Sequence, residues 1–284
     1  MDPLMIALIV AVFTLIVLFS GIPIAFGLSF VSIALLIAFE GLQMLDVFAE
    51  TFYAGLNSFV LLSIPMFILM GMAVAHSPAG KDLYTGLDRW LWRVPGGLVI
   101  SNIGACSIFA ALSGSSPATC AAIGTMGIPE MRKRGYSDQI ATGTIAAGGT
   151  LGVLIPPSIV LIVYGMATGT SIGRLFLSGV VPGFMLASLF AIWALIHSYF
   201  IDKNAAKLLR NRKPPTLKEK FEVLPRVFPF LAIIIGVLYV LYGGVATPSE
   251  ASGVGAFLVF VMIAVVYKIY QPQKIWNIVK VSMK

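Results

Sequence analysis

Two apolar arms too short to cross a bilayer, closing on a polar centre, constrain this chain more than any other feature. The stretch is Val94–Ser137, VPGGLVISNIGACSIFAALSGSSPATCAAIGTMGIPEMRKRGYS, with Ser113–Thr119 at its middle. As helices, Leu98–Leu112 would span ~22 Å and Ala118–Ile128 ~16 Å. A hydrocarbon core is roughly 30 Å thick. The pattern predicts a re-entrant helical hairpin with a polar tip near mid-depth. Non-helical backbone survives there only inside protein or against a water-filled cavity, so the tip is the candidate functional site.

The rest of the chain supplies the membrane setting. Of 284 residues, 58% are hydrophobic and 11% charged, against about 25% charged in a soluble domain. The fold expected is an all-α polytopic membrane protein of about seven crossing helices plus the hairpin and interfacial amphipathic helices. The net charge of +7 falls in loops on one membrane face and does not call for nucleic acid. Cys106 and Cys120, one in each arm, read as small buried thiols. Neither they nor the isolated His76 and His197 make a metal site. The N-terminus lacks the basic region of a cleavable signal peptide, so the first helix is expected to stay.

In chain order, Met5–Ser20 and Pro23–Phe39 read as spanning helices and Glu40–Asn57 as an external loop. Phe59–Ala75 reads as a helix kinked at Pro65. Lys81–Arg93 reads as an interfacial helix anchored by Trp90 and Trp92. Pro129 is expected to end the second hairpin arm. Asp138–Thr170 is Gly- and Ala-rich and interrupted at Pro156-Pro157, which predicts two half-helices around an unwound joint. Leu175–Phe200, Val227–Tyr242 and Ala251–Tyr267 follow as spans. Asp202–Lys220 is a basic loop and Gln271–Lys284 an amphipathic end. The parts expected are 1–93, scaffold helices and interfacial helix; 94–137, hairpin; 138–201, broken helix and its successor; 202–225, basic loop; and 226–284, the start of a second inverted repeat.

With both hairpin ends on one face, every basic cluster except Arg174 lies on that face. It is therefore cytoplasmic and the N-terminus external. The helix–Gly-x-Pro–helix start is echoed at Val227–Tyr267 in opposite orientation, a common transporter plan.

At the tip, Ser116 can cap the second arm and Pro117 suits its first position. One helix end offers carbonyl groups there and the other offers amides and a positive dipole end. The Pro156 break offers the same groups from another direction. Such oxygens can replace the hydration shell of Na⁺, and the amides can meet an anionic substrate. No carboxylate or histidine suggests a proton relay, with Glu130 and Asp138 read as solvated at the interface. No nucleotide-binding or hydrolase motif occurs. The alternatives from other classes are a membrane scaffold without a solute site and a channel built on a re-entrant loop.

SGSSPATCAAIG, IPEMRKRGYS, AAGGTLGVLIPPSIVLIVYG, LFLSGVVPG and VATPSEASGVGA occur in this order, and together they resemble the large membrane subunit of tripartite ATP-independent periplasmic (TRAP) transporters, the DctM type. The resemblance implies a Na⁺-coupled secondary transporter in a bacterial or archaeal inner membrane. Its substrate would be an organic acid, such as a C4-dicarboxylate or sugar acid, delivered by a periplasmic binding protein. A small membrane subunit would accompany it. It implies an elevator architecture and no cofactor beyond the coupling ion. It places sodium at Ser113, Ser116, Gly152, Ile155 and Pro156, with Ser115, Pro117, Ala118 and Thr119 completing the tip. Members of the family are longer and carry a second hairpin and second broken helix. The chain is thus expected to be one part of such a subunit, with the second repeat incomplete.

Overall fold

The computed structural model describes residues 2–94, 96–197, 199 and 214–283. Residues 202–213 of the basic loop expected at 202–225, and part of the end of the span expected at Leu175–Phe200, lie outside the described residues. Among the described residues every regular element is helical. The helices are α1 (Pro3–Phe19), α2 (Ile24–Glu40), α3 (Met44–Leu56), α4 (Ser63–Ala75), α5 (Ala79–Trp90), α6 (Gly97–Ser113) and α7 (Ser116–Lys133). Then come α8 (Asp138–Leu154), α9 (Ile159–Thr168), α10 (Ile172–Ile196), α11 (Leu217–Glu222), α12 (Leu224–Tyr242), α13 (Pro248–Tyr267) and α14 (Pro272–Ser282). A 3₁₀ turn at Phe59–Leu62 precedes α4.

Among the described residues four stretches are long and apolar enough to cross a membrane: Asp138–Thr168, Ile172–Ile196, Leu217–Tyr242 and Pro248–Tyr267. Helices α1, α2 and α6 are equally apolar in character but only 17 residues each. The chain divides into two compact units, Met1–Ser58 and Phe59–Lys284.

In the first unit, α1 and α2 pack where Gly27 leaves room for Val17, and Phe13 meets Phe30 at 6.3 Å between ring centroids. Most other apolar side chains here are exposed, Phe19 and Phe26 among them, as lipid-facing side chains would be. The loop expected at Glu40–Asn57 is largely helix α3. Its acidic residues Asp46 and Glu50 share the helix with Phe48 and Phe52, whose rings stack 5.9 Å apart. Acidic residues read as a loop, yet they are compatible with an amphipathic helix.

The second unit holds the core. Phe67, Met70, Phe109, Leu112, Ile123, Leu151 and Phe176 are fully buried. Helix α13 lies along α4, with Gly255 against Met70 and Val237, and the Ser249 hydroxyl donates to the Phe59 carbonyl at 2.8 Å. Between apolar helices in lipid, close van der Waals fit replaces the hydrophobic effect, and small residues permit it. Capping boxes start α11 at Thr216/Glu219 and α13 at Thr247/Glu250, each satisfying two backbone donors.

Two proline expectations fail here. Pro65 is the third residue of α4, where the amide has no intrahelical acceptor and proline removes nothing. Pro129 does not end the second arm: α7 runs through it to Lys133 and reaches 18 residues. One lost helical bond leaves the others in place, a loss helices packed in membrane proteins tolerate. The arms are therefore ~26 and ~27 Å long, nearly equal. Pro182 lies in the interior of α10.

Candidate functional site

The hairpin turns in two residues. Helix α6 closes at Ser113, and Gly114 takes a left-handed conformation (φ 57°) with its amide on Ala110 O. Ser115 is extended, and its hydroxyl accepts the Ala118 amide at 3.5 Å. Ser115, not Ser116, is thus the N-cap, with Pro117 at the second helical position. In a Ser-Ser-Pro run, either hydroxyl satisfies the capping pattern, and the sharp turn at Gly114 selects the first.

The tip is internally bonded. The Ser113 hydroxyl lies 2.9 Å from the Thr119 hydroxyl and donates to Ser115 O at 3.3 Å, and the Thr119 hydroxyl donates to Ser115 O at 2.8 Å. Ser113 and Thr119 are buried, whereas Ser116 and Ala118 are half-buried and Pro117 is exposed.

The break reaches this tip. Helix α8 ends at Leu154 and α9 begins at Ile159, leaving Ile155–Ser158 unwound, with a cis bond between Pro156 and Pro157. The Ile159 amide donates to Gly114 O at 3.1 Å. A Cβ on Gly114 would stand 2.7 Å from the Pro157 carbonyl oxygen. A Cβ on Gly152 would stand 2.7 Å from Ser116 N and 2.9 Å from Ser115 O. The Ser116 hydroxyl donates to Thr150 O at 3.4 Å. Glycines therefore bring the two irregular segments to backbone contact.

Of the residues singled out from sequence, Ser113, Ser115, Ser116, Thr119 and Gly152 meet directly in this cluster. Ile155 and Pro156 follow in the unwound segment, Ile155 packed on Gly183 of α10. Pro117 and Ala118 form the first turn of α7. Sequence reasoning missed Ile159 and Ser158. Ser158 is fully buried, and its hydroxyl has no partner. Their signal was the position just after two prolines, where a new helix leaves its first donors free.

Helix α8 packs along both arms. Its Gly148 faces Cys106 of α6 and its Gly149 faces Cys120 of α7. The two cysteines are free thiols, Cys106 buried.

The base of the hairpin is fixed electrostatically. Arg134 donates Nη1 and Nη2 to Asp88 Oδ1 and Oδ2 of α5 at 3.1 and 3.0 Å. It also donates Nε and Nη2 to Glu130 Oε1 at 2.9 and 2.6 Å. Burial lowers the affinity of Arg134 for its proton, but the bonds to Asp88 and Glu130 outweigh this and raise its pKa. Glu130 and Asp138 are not simply solvated: Asp138 accepts from Arg132 Nε at 2.6 Å. That second pair is exposed.

Chemically, the tip and break offer hydroxyl and backbone carbonyl oxygens without carboxylate, thiolate or imidazole. Hard oxygen donors suit a hard cation, and a set without formal charge suits a monovalent one. Among the described residues no group of His, Cys, Asp or Glu could hold a metal ion.

An apolar chain whose described residues are helical, with a hairpin tip meeting a broken spanning helix, is a polytopic membrane protein. The chain belongs to the family described as the tripartite ATP-independent periplasmic transporter, DctM component, which it matches over residues 9–284. It is 38% identical over 250 residues to the C4-dicarboxylate TRAP transporter large permease protein DctM of Vibrio cholerae, covering 87% of this chain and 53% of that protein. It is 36% identical over 237 residues to the isethionate TRAP transporter permease protein DctMQ of Oleidesulfovibrio alaskensis, covering 84% and 36%. It is 31% identical over 263 residues to the sialic acid TRAP transporter large permease protein SiaM of Vibrio cholerae, covering 93% and 60%. The chain thus spans between about a third and three fifths of the length of these relatives.

Proposed function

We propose that this chain forms part of the permease of a Na⁺-coupled secondary transporter that imports an organic acid across an inner membrane. The observation that carries this reading is the contact between the Ser113–Thr119 tip and the Gly152–Ile159 break. Ser113 and Ser116 supply hydroxyl oxygens, and Gly152, Ile155 and Pro156 supply backbone carbonyls to one Na⁺. Ser115, Pro117, Ala118 and Thr119 bound the substrate side, where the positive dipole end of α7 favours an anion. The acidic substrates in the names of the relatives support a carboxylate, such as a C4-dicarboxylate or sugar acid, or another organic acid. A periplasmic binding protein delivers it, and a small membrane subunit completes the assembly. The hairpin moves with α8 and α9 as a transport body against a fixed scaffold, and the N-terminus faces outward.

The test is uptake into proteoliposomes by the complete system containing this chain. Uptake is expected to need a Na⁺ gradient and to fall at least tenfold in Ser113→Ala/Ser116→Ala, with a raised Na⁺ requirement in each single variant. Uptake indifferent to Na⁺ rejects the coupling. A double variant that assembles less well while transporting with unchanged kinetics supports a scaffold role instead.

A further inference from the structure

Away from the tip, a cleft of about 350 Å³ opens between α5 and α7 at the hairpin base. Lys81 lines it from α5 and Lys133 from the last turn of α7, and both are exposed. Arg134 lines it too, but its guanidinium is committed to Asp88 and Glu130. The neighbouring carboxylates are also engaged, Asp82 facing Arg226 at 3.9 Å and Asp138 bonded to Arg132. Among the described residues neither Lys81 nor Lys133 has a carboxylate partner. The lining of Lys81, Lys133 and Arg134 against Asp88 and Glu130 thus carries a net charge of +1, and its two ammonium groups stand on different helices without a carboxylate among the described residues within salt-bridge distance.

The rest of the lining says what kind of anion fits. Met126 and the exposed Pro129 give the cleft an apolar side. Helix α5 has a strongly one-sided apolar face, with Leu83 and Tyr84 buried and Trp90 half exposed. That apolar face packs into the protein core and leaves Lys81 exposed. A soluble anion would use the lysines and leave the apolar side wet. A phospholipid uses both: its phosphate meets the two ammonium groups, and its glycerol and first acyl carbons cover Met126 and Pro129.

We propose that this cleft is a binding site for the phosphate of a membrane phospholipid, held between Lys81 and Lys133. The carboxylates Asp88 and Glu130 are both turned to Arg134 rather than to the lysines. The site lies on α5 and α7 but does not include the tip, so it stands apart from the sodium reading.

Native mass spectrometry of the purified chain with dioleoyl phosphatidylglycerol tests it. Each lysine near an anionic lipid contributes about a fivefold factor in binding. Lys81→Ala/Lys133→Ala is expected to lose retained lipid by at least tenfold, and Lys81→Arg/Lys133→Arg to keep it. Lys274→Ala/Lys280→Ala on α14 controls for general surface charge and should retain the wild-type amount. Because Lys81 and Lys133 are exposed, the variants are expected to keep the parent's melting curve. Equal retention in the Ala double variant overturns the site, as does an equal loss in the α14 control. Equal retention of dioleoylglycerol, which lacks the phosphate, also overturns it. Displacement by inorganic phosphate at the same concentration as lipid replaces a lipid site with a soluble-anion site.

Discussion

The amide of Ile159 donates to the carbonyl of Gly114 across 3.1 Å, joining residues 45 positions apart in the chain. Each belongs to an interruption of helix. Gly114 is the left-handed turn of the hairpin, and Ile159 is the first helical residue after the break in the span. A donor freed by one break satisfies an acceptor freed by the other. Buried backbone groups left without partners are costly in an apolar setting, so neither break is well satisfied alone.

Gly114→Ala should therefore be far worse than an ordinary glycine change. It combines left-handed strain of about 1–2 kcal/mol with overlap against Pro157 O, which adds on the order of 1–3 kcal/mol. Gly135→Ala is the control: φ is +79° there, but nothing lies within 4 Å of the added carbon. Unfolding of both variants in detergent should show Gly114→Ala the more damaged, and matching losses would argue against the junction.

The Asp88–Arg134 pair should behave as a coupled unit. The Asp88 side chain is 9% exposed and that of Arg134 27%. Removing either partner alone leaves the other charge poorly solvated. A double-mutant cycle with Asp88→Asn and Arg134→Gln should give a coupling on the order of 2 kcal/mol. Additive losses would mean that the bidentate geometry contributes no specific stability.

The Arg132–Asp138 pair, only six residues apart, should contribute nothing measurable. Both side chains are more than half exposed, at 56% and 66%, and exposed pairs rarely show in stability. Arg132→Gln and Asp138→Asn should leave the melting curve unchanged in low and high salt. A salt-sensitive loss would show a longer-range role for this corner.

The contact between α8 and the second arm predicts a size exchange. A Cβ on Gly149 falls directly onto the Cys120 sulfur. Gly149→Ala should destabilise by about 1–3 kcal/mol, and adding Cys120→Ala should restore much of that. Failure of the second change to rescue would place the strain elsewhere along α8.

The breaks were legible in the sequence because they depend on local chemistry. Paired prolines and a Ser-Gly-Ser-Ser-Pro run interrupt helices wherever they stand. Other features were not. Pro65 and Pro129 looked like interruptions, but proline's effect depends on its distance from a helix start and on neighbours that hold the turn. Helix α3 read as a loop because Asp46 and Glu50 were weighed as charges rather than as the polar side of an amphipathic helix, whereas Glu40 closes α2. The choice of Ser115 over Ser116 as cap depends on a backbone angle at Gly114 that composition does not encode. The Asp88–Arg134 pair joins positions 46 apart, with no repeat or spacing to announce it.

The single bond between Gly114 and Ile159 has a consequence for how access to the tip can change. A flap needs a free edge, and here the edge is stitched to the neighbouring span. Lifting the hairpin tip alone would strand a donor and an acceptor together and draw Gly152 away from the Ser115–Ser116 backbone. If the proposed transport holds, the two arms and the broken helix would shift together as one sewn frame.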